Sequence, residues 1–136
     1  MNDDADIRGL LLFAHGARDP EWARPFEAVA QSVRAQRPRT PLRLAFLEFM
    51  QPGIAPAAAQ LVAEGCTRVE VLPLFLGAGG HVRKDLPRLL DALRAEHAGV
   101  RFELHPAVGE LPAVVQAMAG AALALLSDPD PEASQP

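Results

Sequence analysis

The chain has 136 residues and a mass of 14.5 kDa, room for one domain with a real core. Thirteen Lys and Arg against 17 Asp and Glu give a net charge of −4, which argues against non-specific binding to nucleic acid or anionic lipid. Apolar residues are 49% of the chain and charged residues 22%, so the chain as a whole is not disordered, and no apolar run approaches the roughly 18 residues of a membrane helix.

The opening MNDDADIRG is acidic and lacks the basic-then-apolar order of a signal peptide. Residues 1–8 are expected to form a tail and residues 9–126 a single domain. The lone Cys66 excludes an internal disulfide and a Cys-rich metal cluster, and beside Gly65 it reads as a buried small hydrophobe. Together these features point to a soluble, cytoplasmic protein.

Gly9 to Ala14 (GLLLFA) is a continuous apolar run that reads as a buried strand ending at His15. Asp19 and Pro20 suit a helix start, after which Trp22, Phe26, Val29, Ala30 and Val33 recur at helical spacing. Pro25 predicts a late start or a kink there. Leu42 to Glu48 reads as a second strand, and Gln51 to Glu64 as an alanine-rich helix stopped by Gly65. Val69 to Leu76 (VEVLPLFL) is the third strand and runs into a glycine loop. Asp85 can cap a third helix carrying Leu86, Leu89, Leu90 and Leu93. Val100 to His105 reads as a fourth strand. A last helix places Leu111, Val114, Val115, Met118, Ala122 and Leu125 on a core stripe, and residues 127–136 (SDPDPEASQP) read as a flexible tail.

Strands that alternate with helices predict an α/β fold, a parallel sheet joined by right-handed crossovers with helices on both faces. The runs at Leu10 and Val69 suit central strands, and the alternating runs at Leu42 and Val100 suit edges. The expected order is therefore 2-1-3-4.

In such a sheet, ligands bind beyond the carboxyl ends of the strands at the switch point. His15 follows the first strand, Glu48 ends the second, and His81 follows the third after Gly77, Gly79 and Gly80. Two imidazoles and a carboxylate suit Co²⁺, Ni²⁺, Fe²⁺ or Zn²⁺. By position alone, Glu48 also reads as an exposed strand-end carboxylate and His15 as a hydrogen-bonded structural residue. His97 suits a helix C-terminus. His105 reads as structural, at an edge-strand end. The segment GAGGHVRK lacks the phosphate-loop pattern, but its glycine amides, with Arg83, Lys84 and Arg18, offer contacts to substrate carboxylates.

Three segments in this order, LLFAHGARDPEWARPFE, LAFLE with QPGI, and VEVLPLFLGAGGHVRKDLP, resemble the short form of the sirohydrochlorin chelatases of the CbiX/SirB type. The resemblance spans about Gly9 to Pro112. It implies a chelatase-like, flavodoxin-like half domain and an ATP-independent enzyme that inserts a divalent metal into sirohydrochlorin, a tetrapyrrole on the routes to cobalamin and siroheme. It implies no permanent cofactor. It places metal-binding histidines at His15 and His81 and the active-site carboxylate at Glu48. It favours cobalt over iron or nickel as the metal substrate, and implies a homodimer around a shared cleft. Ala17 departs from the Ser of many relatives, and the His-rich and Cys-cluster tails of some are missing. Two other functions stay open: a metal or tetrapyrrole carrier without turnover, and a histidine-dependent phosphatase, whose RHG start HGAR resembles only weakly because Ala14 precedes His15.

Overall fold

The structure is a computed structural model. It describes residues 6–77 and 79–126, with His81 described by its backbone alone, and the expected tail at 127–136 lies outside the described residues. Four strands, β1 (Arg8–Ala14), β2 (Leu42–Phe46), β3 (Arg68–Pro73) and β4 (Arg101–Leu104), pair in parallel in the order β2-β1-β3-β4. This is the order the hydrophobic runs predict. Helix α1 (Arg24–Gln36) lies on one face, and α2 (Ile54–Ala63) and α3 (Gly80–Glu96) on the other.

The chain forms these elements for local reasons. Asp19 accepts from the Glu21 amide at 2.9 Å and caps a single 3₁₀ turn, Pro20–Ala23. α1 then starts at Arg24 with Pro25 in its first turn, where the missing N–H costs nothing, so the helix starts late rather than kinking. α2 ends at Gly65, whose φ of +97° suits the left-handed position that closes a helix.

The larger core joins Leu11, Phe13, Val69, Val71 and Phe102 of the sheet to Leu61 of α2 and Leu90 of α3. The smaller core packs Leu12, Ala14, Leu42 and Phe46 against Ala30 of α1. Cys66 is buried, as expected, and burial pushes its thiol above the ordinary range, with Glu64 adding to the effect.

Three expectations are corrected. α3 begins at Gly80, five residues before Asp85, which lies exposed inside the helix. The Asp85-Leu86-Pro87 sequence imitates a helix start, yet Pro87 sits inside α3, whose first turn is closed by the Arg83 amide on the Gly79 carbonyl at 3.0 Å. β3 ends at Pro73 rather than Leu76. The third and largest correction concerns α4 (Pro112–Ala124): none of its residues is buried, Met118 is 44% exposed, and it belongs to neither core.

The physical reason for that last correction lies in the sheet. On the α1 side, β3 and the segment from β4 to His105 present Arg68, Glu70, Arg101, Glu103 and His105, a surface suited to water and not to an apolar helix. β3 therefore alternates buried and partly exposed positions instead of being covered on both faces. Glu70 organises this surface. It accepts from His105 Nε2 at 2.6 Å and from Arg68 Nε at 2.7 Å, and Arg8 Nε stands 3.5 Å away.

The His105 hydrogen bond, then that of Arg68, hold the Glu70 carboxyl below the usual glutamate range, against the upward push of burial. A depressed folded-state value gives stability that is present above the unfolded value and lost as pH falls through the folded one. Glu70→Gln should therefore cost about 1 kcal/mol at pH 7. That gap should close as the pH drops below the glutamate range, measured by urea unfolding across a pH series.

Candidate functional site

The carboxyl ends of β1 and β2 are tied together just past their last residues. The Leu47 amide donates to the Ala14 carbonyl at 2.9 Å and the Glu48 amide to the His15 carbonyl at 3.1 Å. This extension of the ladder sets His15 and Glu48 side by side, with Nε2 and Oε2 3.3 Å apart and each side chain about half exposed (47% and 49%). Glu48 lies two residues past the end of β2, in the loop rather than in the strand.

Gly16 makes this approach possible. Its φ is +97°, and a Cβ there would stand 1.9 Å from the Glu48 carbonyl oxygen. Gly16→Ala should cost about 3 kcal/mol from left-handed strain and the forced shift of the Glu48 backbone, read as a lowered urea midpoint.

The His15 ring meets Phe75 edge to face, with centroids 6.2 Å apart. Phe75 in turn packs on Phe13 of the core, so the imidazole stands against a fixed aromatic wall. A hollow of about 460 Å³ opens beside it, bordered by Trp22, Phe26, Leu76, Gly79 and Val82. Trp22 and Phe26 stack with centroids 4.7 Å apart. The Phe75–Leu76 segment is held by the turn at Val108–Glu110, where the Gly109 amide donates to the Phe75 carbonyl at 3.0 Å. A larger hollow of about 760 Å³ lies along Glu27, Arg34, Arg43 and Gln60, and contains no imidazole.

The basic residues expected at the site fall into two places. Arg18 lies over the ring of Phe49, with its guanidinium carbon 5.0 Å from the centroid, which ties it to the loop that follows β2. Gly80 opens α3, and Arg83 and Lys84 are exposed in its first turns. Gly79 precedes the helix with no side chain to cap it, so the first-turn amides and the helix dipole are available to an anion. Among the described residues, a Cβ on Gly77, Gly79 or Gly80 would meet nothing within 4 Å, so the loop is open there.

His15 and Glu48 are thus brought together, and His81 occupies the second position of α3, past the end of β3 on the same edge of the sheet. Among the described residues, no three His, Cys, Asp or Glu side chains converge on one point. His97 ends α3 and packs near Phe102, and His105 bonds Glu70, so both lie away from the hollow. Sequence reasoning missed Phe75, Phe49 and the Trp22–Phe26 stack as site walls, because aromatics at strand or helix spacing read as core.

Comparison with known proteins places the chain among its relatives. A sirohydrochlorin cobaltochelatase of Saccharolobus solfataricus is 35% identical over 100 residues, covering 71% of this chain and 77% of the relative. The crystal structure of a CbiX protein from Marinobacter aquaeolei superimposes with a TM-score of 0.77 at 30% identity, covering 88% of this chain and 97% of that one. The sirohydrochlorin chelatase SirB of Bacillus subtilis, solved with cobalt, shares the fold at a TM-score of 0.75 and 21% identity, over 92% of this chain and 56% of its own. The CbiX family model matches residues 9–122, and the chain belongs to that family.

Proposed function

We propose that this protein is a sirohydrochlorin chelatase that inserts a divalent metal ion into the ring without ATP, serving cobalamin or siroheme synthesis in the cytoplasm. Cobalt is the favoured metal substrate, with iron or nickel as alternatives. The observation that carries the proposal is the His15–Glu48 pair, 3.3 Å apart at the open end of β1 and set beside an aromatic-walled hollow. Membership of the CbiX family and relatives named sirohydrochlorin cobaltochelatase support the substrate and the metal.

Insertion exchanges two pyrrole protons for one metal dication. His15 and His81 hold the ion through neutral imidazole nitrogens and release it to the ring, because few protein ligands hold it reversibly. Glu48 serves as a further ligand or accepts a departing proton. The bound dication favours the deprotonated state of each ligand. Phe75, Trp22 and Leu76 meet the apolar macrocycle face, while Arg18, Arg83, Lys84 and the amides at Gly79 and Gly80 meet its carboxylates.

A homodimer completes the cleft. α4 is apolar except for Gln116, carries no charged residue and, among the described residues, contributes nothing to either core, so a second copy is its natural cover.

The test is a spectrophotometric insertion assay with Co²⁺, Ni²⁺ and Fe²⁺ at protein concentrations far below that of sirohydrochlorin. Multiple turnovers above the uncatalysed rate are expected, and they should be lost in His81→Ala. Spectral change limited to one ring per protein would establish a carrier instead.

A further inference from the structure

We propose a second binding site, for a small multivalent oxyanion, at the opposite edge of the sheet. Arg8, Arg68 and Arg101 are the first residues of β1, β3 and β4, and they are register partners in one row on one face. Neighbouring strands lie about 4.8 Å apart, so three guanidinium stems stand side by side. Like charges directly opposite one another destabilise a sheet, so this row calls for a compensating anion. The chain supplies part of it: Arg68 bonds Glu70, and Arg101 Nη2 stands 3.3 Å from Glu103. Arg8 has only the longer 3.5 Å approach to Glu70.

A fourth arginine closes the group. Arg37 ends α1 and, among the described residues, its guanidinium meets no carboxylate. These four arginines, with Thr40 and Thr67, border a hollow of about 430 Å³. Among the described residues, the one acidic residue on its wall is Asp6, whose Oδ1 accepts from the Thr67 hydroxyl at 3.3 Å. The described lining therefore carries excess positive charge in a protein whose net charge is −4.

β1 runs from Arg8 to Ala14, which puts this hollow roughly 20 Å from His15. It cannot share a ligand with the His15–Glu48 pair. Guanidinium forks match the planar geometry of carboxylates and the oxygen spacing of phosphates equally well. The ligand class is accordingly a small molecule bearing two or more phosphoryl or carboxylate groups.

Calorimetric titration of the full chain with inorganic pyrophosphate, and separately with citrate, tests this and tells the two sources apart. Saturable binding of at least one, at one site per chain, is expected. Arg37→Ala should weaken it by about tenfold or more. Without ligand, the thermal midpoint of Arg37→Ala should match the wild type, because Arg37 is exposed and forms no ion pair among the described residues. Arg83→Ala should leave the affinity unchanged, because Arg83 sits at the other edge. Absence of saturable heat with both anions would overturn the proposal, as would loss of binding in Arg83→Ala but not in Arg37→Ala.

Discussion

His15→Ala should lower kcat/KM for cobalt insertion by about a hundredfold or more, with the folded state kept. Each part of that expectation has its own ground. The imidazole is half exposed, and its contacts are Glu48 and the edge of Phe75, so removing it leaves no buried cavity. Its loss should cost at most about 0.5 kcal/mol of stability, within the usual range for an exposed side chain. The functional loss is expected to be larger because, on the proposed mechanism, the substitution removes an imidazole that holds the ion. Glu48→Gln separates the roles of its partner: it keeps the shape and an oxygen acceptor but removes the charge. A ligand role predicts weakened metal affinity at every pH, whereas a proton-acceptor role predicts a lowered kcat with metal affinity retained. Turnover in His15→Ala equal to wild type, with the same metal affinity, would remove His15 from the mechanism. A change in thermal midpoint of many degrees would instead show that the imidazole holds the β1–β2 loops together.

Much of this site was legible because parallel α/β topology is restrictive. Once the run at Gly9–Ala14 reads as a central strand, His15 must lie at the carboxyl edge, and the neighbouring strand must deliver Glu48 to the same place. What stayed hidden depends on tertiary contacts. Phe75 looks like any other apolar residue of a strand until its ring is seen against His15. Arg8, Arg68 and Arg101 are 60 and 33 residues apart in sequence, and only the register sets them in one row. The start of α3 was misread because Asp85 and Pro87 imitate a local signal that the Gly79–Arg83 turn overrides. α4 was misread more seriously. Its periodicity predicts a core stripe, but none of its residues is buried in this chain, and the charged strip around Glu70 makes its own sheet a poor partner.

That strip leads to the other large effect. Val115→Asp combined with Met118→Asp should convert a dimer into a monomer and abolish insertion at assay concentrations. Val115 is 48% and Met118 44% exposed, and neither packs into a core cluster of its own chain. The substitutions should therefore leave the circular dichroism spectrum and the unfolding midpoint of the isolated chain nearly unchanged. In an interface the same carboxylates would be driven out of water with no partner, because no basic residue occurs between Leu111 and Leu126 on either copy. A penalty of about 4 kcal/mol for the pair corresponds to roughly a thousandfold weaker dimer. Sedimentation velocity over a concentration series reads this directly, and the insertion assay at matched concentrations ties it to function. If activity requires two chains around one macrocycle, then specific activity of the variant should fall in proportion to its dimer fraction and recover at high protein concentration. A wild-type protein that is monomeric and fully active at assay concentrations would show instead that one copy of the His15–Glu48 edge suffices. The apolar surface of α4 would then require a different cover.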